Sequence, residues 1–565
     1  MPKLYVDPLD VSIPFEKGET VRDILQREGI FIESPCDGKG ICGKCGVWVK
    51  NGQDVPETEH DNITPEQAAN GLRLSCLLTP ELDLRIELPV DFSLDAKRLR
   101  QAQRILEGER LSWSRVVPAV GLRKAKGKYW LSYQDQETIT PLDSWKDGFT
   151  PKGLAIDLGT TSMVVSLLSL QSGEELATSS SLNPQVKFGH DIMTRIQHAS
   201  TQEGLTALSR IVRDGLNELI EQVCLDSQSD AGEILDVVVG GNTTMLQLAA
   251  AIDPAPLGRV PFTVGIQGAA SYPASRFGLR INPAARVYVP PIVHAFVGTD
   301  ISAGLLMSEG FFDDQQILLF MDIGTNGEMG LNLRGRRLMT STAAGPAFEG
   351  AGLSSGMRAS FGAVETVSTD GGTLKLETVG KAPIRGICGS GLMDLIAVLL
   401  QLGVIDVSGR MLHPEKTGQL PEAIRERVEF LCDQPAFRLE EGVYLTQRDV
   451  RQVQLAKAAV RAAMEGILQE AGSESGALDR IVIAGGFGFS LNPENLEAIG
   501  MLPPGTKEKV VFAGNTSRSG CAWLLVDTSY RRFLEEKIQA VTHVSIAERS
   551  DFMDLFVQRM HFPKP

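Results

Sequence analysis

The chain has 565 residues, 43% of them hydrophobic and 22% charged, with a formal net charge of −15 and a mean hydropathy of −0.02. That length has room for about three or four domain-sized units. The composition is ordinary for a soluble globular protein, and the acidic balance argues against generic nucleic-acid binding. No apolar run approaches the ~18 residues a bilayer requires, and Met1 to Asp7 shows no signal-peptide pattern, so a cytoplasmic protein with no membrane association is expected.

Residues 3–15 alternate apolar and polar positions around Pro8 and Asp10, as a hairpin does. Thr20 then opens a short helix to Glu28 as its N-cap. Next comes the loop Cys36-Asp37-Gly38-Lys39-Gly40-Ile41-Cys42-Gly43-Lys44-Cys45, with a fourth cysteine at Cys76, a C-x5-C-x2-C-x30-C spacing. Three thiols in a Gly-rich loop and a fourth farther on form the ligand pattern of a ferredoxin-type iron–sulfur cluster. Gly38, Gly40 and Gly43 let the loop turn repeatedly and leave backbone N–H groups for the cluster sulfurs. Zinc is the competing occupant, although structural zinc usually takes two C-x-x-C-like pairs and only Cys42 and Cys45 form one.

Val47-Trp48-Val49, the turn Asn51-Gly52, a helical stretch from Thr64 to Ala69 and a strand from Leu82 to Leu88 follow. The first cysteine gap is one residue longer than the plant-type arrangement, and the spacing resembles that of adrenodoxin-like [2Fe–2S] ferredoxins. The element order resembles their β-grasp fold. The resemblance implies a ferredoxin domain over residues 1–92 with Cys36, Cys42, Cys45 and Cys76 as ligands. The other cysteines, Cys224, Cys388, Cys432 and Cys521, are scattered and imply no disulfides in a reducing compartment.

Charge is uneven along the chain. Residues 1–92 hold nine Lys and Arg against seventeen Asp and Glu, whereas residues 93–150 hold eleven against seven. In this basic connector, Ser93 to Arg110 reads as a helix, and Val116 to Tyr133 has strand-like pieces punctuated by Gly121 and Gly127. Trp113, Trp130 and Trp145 lie here. They read either as a docking surface for the acidic head or a redox partner, or as the core of a small connecting module.

From Gly153 the pattern becomes α/β. Leu154-Ala155-Ile156-Asp157-Leu158-Gly159-Thr160-Thr161-Ser162 runs from an apolar strand into a Gly-Thr turn, and Met163 to Leu168 leaves it. The design returns at Leu318-Leu319-Phe320-Met321-Asp322-Ile323-Gly324-Thr325-Asn326-Gly327-Glu328. Chance would supply D-x-G-T roughly 0.1 times in such a chain, so two copies behind apolar strands are an internal repeat. In each, backbone N–H groups at a Gly turn can meet phosphate oxygens while the Thr hydroxyl adds a donor. The carboxylate handles Mg2+, usually through water. Two ordinary hairpins with Asp-Gly turn chemistry are the bland alternative.

Ile481-Val482-Ile483-Ala484-Gly485-Gly486-Phe487-Gly488 is a buried strand entering a Gly-rich turn, where a flat base could lie against the backbone. After two phosphate hairpins, this element resembles the adenosine motif of the superfamily of actin, sugar kinases and heat-shock chaperones. That resemblance implies two related α/β lobes, residues 151–310 and 311–565 with a C-terminal tail, and ATP between them. Val237 to Met245, with Asn242 and Thr243, has the same strand-to-polar-turn form. Ala343 to Gly350 is a loop able to bring Glu349 to the phosphates. Gly386-Ile387-Cys388-Gly389-Ser390-Gly391 precedes an amphipathic helix whose first amides suit an anion. Cys388 reads as a packing residue, and His190, the most suggestive of seven histidines, as an ordinary one.

A [2Fe–2S] head, a connector and an actin-like ATPase in this order resemble the reductive activators of corrinoid proteins. The runs at Asn242-Thr243-Thr244, Asp322 to Glu328 and Cys388 to Gly391 carry that resemblance most closely. It implies one-electron transfer from the cluster to cob(II)amide, restoring cob(I)amide for methyl transfer, coupled to ATP. It also implies a corrinoid partner, with the corrinoid/iron–sulfur type as one candidate, an upstream electron donor, and a homodimer. Asp157 and Asp322 are assigned to Mg2+ and water. Gly159, Thr160, Thr161, Asn242, Thr243, Gly324, Thr325, Asn326, Gly327, Gly389 and Ser390 are assigned to the nucleotide's phosphates and cleft wall. Gly485, Gly486 and Phe487 are assigned to adenosine, and Glu328 or Glu349 to the attacking water. Rival readings are electron donation to another metalloenzyme, a ferredoxin-fused small-molecule kinase, which would need a general base in the cleft, and a non-catalytic sensor.

Overall fold

The structure, a computed structural model, describes residues 2–7, 11–27, 45–50, 63, 65–88, 113, 115–125, 127–134, 139–143, 145–189, 191–350, 352–360, 362–370, 372–431, 433–485 and 491–564. They divide into two units, Met1–Arg100 with Pro184–His198, and Gln101–Asn183 with Ala199–Pro565. The helix expected over Ser93 to Arg110 lies outside the described residues, as do Cys36, Cys42, Gly486, Phe487 and His190.

The first unit holds a five-stranded sheet in the order Val11–Pro14, Lys3–Asp7, Leu84–Glu87, Gly46–Val49, Leu72–Leu74. Alternation turns Leu4 and Val6 of one strand, and Leu84 and Ile86 of its parallel neighbour, into a common core. The helix Val21–Arg27 closes that core with Val21, Ile24 and Leu25. As the sequence leads one to expect, Thr20 caps it: the Asp23 N–H donates to the Thr20 hydroxyl at 3.1 Å. The three-residue strand Leu72–Leu74 is not legible beforehand, being too short to show a period.

Two six-stranded sheets dominate the second unit. One runs Glu175–Leu182, Ser162–Ser169, Lys152–Leu158, Ile234–Gly241, Arg286–Val289, Ala270–Pro273; the other runs Val510–Gly514, Arg480–Ala484, Ile317–Ile323, Gly327–Leu333, Arg336–Thr342, Val541–His543. Each begins as an antiparallel meander whose first strand is flanked by a parallel strand. That parallel strand follows a long helix, Gln202–Asp226 in one copy and Gln447–Glu470 in the other. Thr201 caps the first helix, and Thr446 with Asp449 forms a capping box on the second. The repeat read from two short motifs is thus a repeat of whole sheets.

The copies are joined by two helices, Thr299–Gly304 and Thr516–Val526, packed against each other. A Cβ on Gly520 would stand 2.0 Å from the Ala303 carbonyl oxygen, so only glycine permits this approach. Thr516–Val526 also lies on Lys152–Leu158 and Ile234–Gly241. There the buried Arg518 meets the buried Glu175 at 3.0 Å, and Arg531 of the next helix meets Asp236 at 2.6 Å. Residues beyond 510 therefore complete the first sheet's packing, and a cut at 310 is a division in sequence rather than in space.

The connector's described part belongs to the second unit. Its strands Val120–Ala125, Lys128–Tyr133 and Ile139–Pro141 form a small antiparallel sheet. Gly121 sits inside a strand rather than between two. Leu131, Tyr133 and Trp145 share one apolar cluster with Leu168, Val238 and Leu525, and Trp113 stacks on Trp523 at 5.7 Å. Trp113 and Trp145 serve as packing, in line with the reading of a connecting module with tryptophans in its core and against an aromatic dock at these two positions; that core is shared with the rest of the second unit.

Lys457 of the long helix Gln447–Glu470 is buried under the C-terminal segment. Its ammonium donates to the His561 carbonyl at 2.5 Å and lies 4.9 Å from the centre of the Phe562 ring. Burial, with Arg461 and Arg559 nearby, pushes its pKa down from 10.5 to about 7. The unfolded chain keeps that proton up to the ordinary value while the folded chain has released it, so stability should rise as pH climbs from about 7 to 10.5. Urea midpoints across that window should show the rise in the native chain and lose it in Lys457→Met. An equal rise in the variant would mean that another group carries it.

Candidate functional site

The two D-x-G-T turns face one cleft. Asp157, Gly159, Thr160 and Thr161 line one side, and Asp322, Gly324, Thr325, Asn326 and Glu328 the other, with Glu349, Asn242, Gly389, Ser390 and Gly485 completing the wall. Strand register explains the pairing of turns. Asp157 and Asp322 occupy equivalent positions near the ends of their strands, opposite Val164 and Glu328 respectively. Gly159 N–H donates to the Ser162 carbonyl at 2.9 Å and Gly324 N–H to the Asn326 carbonyl at 2.9 Å, so each turn is closed by its glycine, the second with one residue fewer in the loop.

Glu349 accepts hydrogen bonds from both turns, from the Thr161 hydroxyl at 3.0 Å and the Thr325 hydroxyl at 2.8 Å. It is therefore a side chain that joins the two turns across the cleft. Gly485 approaches the second turn so closely that a Cβ would stand 2.9 Å from an Asp322 carboxylate oxygen; its φ of +100° also favours glycine.

Two expected residues do not line the cleft. Thr243 is buried and donates its hydroxyl to the His294 carbonyl at 3.2 Å, because it is the first residue of the helix that Asn242 caps. Gly327 opens the strand beyond the turn. The Asn242 side chain does two things: its oxygen accepts from Met245 N–H at 3.0 Å, and its amide donates to the Thr160 hydroxyl at 2.7 Å.

Several cleft residues escape a reading of the sequence, among them Asn515, Ser517, Asp300, Arg358 and Glu365. Asn515 accepts from Arg518 N–H at 3.0 Å and donates to Asp157 at 2.8 Å, repeating the Asn242 arrangement, and Ser517 donates to the other Asp157 oxygen at 2.7 Å. The signal for these two exists, since Gly241-Asn242-Thr243-Thr244 recurs as Gly514-Asn515-Thr516-Ser517. Asp300, in the first turn of the helix Thr299–Gly304, has no such echo.

Asp157, Asp300, Asp322 and Glu328 form a half-buried acidic group. Burial raises the pKa of each. It takes Asp322 to about 7, helped by the Asp157 charge, and Asp300 to about 7, helped by Asp322. Glu328, directly across from Asp322 and near Asp300, is held well above the usual carboxylate range. Asp157 rises less freely because Ser517 and Asn515 favour its charged form. Such a group welcomes a hard cation. Among the described residues no three His, Cys, Asp or Glu side chains are set to hold a metal ion by themselves.

In the first unit, Cys45 and Cys76 are buried, share no disulfide, and stand 3.2 Å apart between sulfurs. That is far beyond the ~2.05 Å of a disulfide and brings two soft ligands to one point, as an iron site needs.

Three family models match the chain: a 2Fe-2S iron-sulfur cluster binding domain over residues 4–81, the RACo middle region over 152–310, and the C-terminal domain of RACo, the ASKHA domain, over 316–565. The corrinoid activation enzyme RamQ of Eubacterium limosum is 30% identical across 98% of both chains. The [Co(II) methylated amine-specific corrinoid protein] reductase of Methanosarcina barkeri is 26% identical over 73% of this chain and 77% of its own. A solved structure, of a reductive activator for corrinoid,iron-sulfur protein, superimposes with a TM-score of 0.71 at 30% identity, covering 100% of this chain and 98% of that one.

Proposed function

Because the chain belongs to the family of reductive activators of corrinoid proteins, we propose that it spends ATP to move one electron onto the cob(II)amide of a corrinoid protein, restoring the cob(I)amide that accepts methyl groups. It is an iron–sulfur, ATP-binding enzyme of corrinoid activation. The observation that carries the finer reading is the cleft itself. Two phosphate turns, half-buried carboxylates beside them and one glutamate joining both turns occur in the same chain as a thiolate site.

Bound at Cys36, Cys42, Cys45 and Cys76, the [2Fe–2S] cluster supplies single electrons. Cob(I)amide is a strong reductant, so the transfer is uphill, and each ~59 mV of deficit costs a factor of ten. Nucleotide binding offsets this by favouring one arrangement of the lobes over another. Asp157, fixed by Asn515 and Ser517, and Asp322 would hold Mg2+ through water. Backbone amides of Gly159, Thr160, Gly324, Thr325 and Asn326 receive phosphate oxygens, and Gly485, Gly486 and Phe487 the adenosine. Glu328, with Asp300 beside it, orients the attacking water, while Glu349 ties the two turns together. With a cluster held at these cysteines, an upstream donor would supply its electrons, in a reducing cytoplasmic compartment, and the partner is a corrinoid protein whose methyl pathway decides its type.

The test is to mix the anaerobically reduced protein with a cobalt(II) corrinoid protein and record visible spectra with and without Mg-ATP. Growth of the cobalt(I) band only with ATP is the expected result. ATP turnover with a loaded cluster but no change at cobalt would defeat the corrinoid reading and direct attention to another metalloenzyme.

A further inference from the structure

The cleft is unbalanced in charge for a site proposed to hold a polyanion: among its described lining residues stand Asp157, Asp300, Asp322, Glu328, Glu349 and Glu365, against a single cation, Arg358. Backbone amides at the turns carry only partial charges, and a divalent ion answers part of the phosphate charge. A guanidinium answers more, since its planar fork of donors matches phosphate oxygens and cannot lose its proton at neutral pH.

The backbone under Arg358 is held in place. Ser354 N–H donates to Asp449 at 2.8 Å, Ile387 N–H to the Ser355 carbonyl at 2.9 Å, and Met357 N–H to the Ile387 carbonyl at 2.9 Å. This laces the segment to Gly386–Ile387, directly before Cys388, Gly389 and Ser390 in the cleft wall. Ser360 adds a bond from its hydroxyl to the Arg358 carbonyl at 3.3 Å. The side chain is long and solvent-exposed in the cleft wall, and its guanidinium keeps its charge at neutral pH. Nothing in the spacing of the sequence marks it.

We infer that Arg358 binds the phosphate chain of the nucleoside triphosphate in this cleft, supplying the positive charge that the six carboxylates around it do not. The inference rests on the cleft being the nucleotide site proposed above.

Full-length protein with its cluster loaded should be titrated with Mg-ATP, Mg-ADP and adenosine, as the native chain, Arg358→Ala and Arg358→Gln, and its ATP turnover measured. In both variants ATP affinity should fall about tenfold or more, as expected for the loss of a charge-assisted contact. The loss should shrink for ADP and vanish for adenosine, and added guanidinium should restore part of the turnover to Arg358→Ala but not to the native chain. Thermal midpoint and cluster spectrum should not move. Equal loss for adenosine and ATP, or native ATP affinity in both variants, would overturn the assignment. Failure of the native chain to bind any of the three would instead remove the nucleotide reading on which it rests.

Discussion

Asp322→Asn should lower ATP turnover by roughly 10²–10³-fold while the visible spectrum of the cluster stays as in the native chain. The amide keeps the shape of the carboxylate beside Gly485, where a Cβ would already lie 2.9 Å from it, and removes only the charge. Asp322 is the sharper choice than Asp157, which is bound on both oxygens by Asn515 and Ser517 and so has a share in the packing.

The variant also has a stability signature of opposite sign. Folding raises the Asp322 pKa from 3.8 to about 7, so the folded chain holds this proton more tightly than the unfolded chain. The cost to stability grows as pH rises through that interval and is complete above it. The asparagine has no such cost, so its thermal midpoint above neutral pH should equal or exceed the native one. A variant that melts early and loses both activities would be a folding defect, and one that keeps turnover within twofold would remove Asp322 from the phosphate chemistry.

Cys76→Ser should abolish electron delivery and leave the nucleotide site working. Cys45 and Cys76 converge from the end of the cysteine loop and from just beyond the strand Leu72–Leu74, held by the Ser75 N–H donating to the Cys45 carbonyl at 2.8 Å. Serine cannot offer a soft thiolate. The iron–sulfur absorbance should be largely lost, the reduction of a cobalt(II) corrinoid protein should fall below detection, and ATP turnover of the chain alone should stay within about twofold, since the cysteine pair and the nucleotide cleft belong to separate compact units. A matching collapse of ATP turnover would show that the cluster is needed to build the ATPase.

Much of this protein is readable from one strand at a time. The cysteine spacing, the hairpin of residues 3–15 and the Thr20 cap rest on neighbours within a few positions, and the structure has the hairpin, the cap and the Cys45–Cys76 approach. The two D-x-G-T turns are legible for the same reason: an apolar strand, a glycine and a threonine in fixed order specify a local conformation whose amides face outward. Thr243 shows where such reading overreaches. The polar turn at Asn242-Thr243 looks uniform in sequence, yet capping geometry turns the asparagine to the cleft and the threonine into the core.

The amino-acid sequence by itself determined the local chemistry, namely four thiols at cluster spacing and two phosphate turns each ending a buried strand. Only the tertiary structure decided which distant groups share that chemistry. Asp300, Asn515, Ser517 and Arg358 reach the cleft because two copies of one sheet face each other and because Gly520 lets two helices cross at contact distance. Burial then converts ordinary carboxylates into proton-holding ones, an effect that depends on what lies around a side chain and not on what precedes or follows it in the chain.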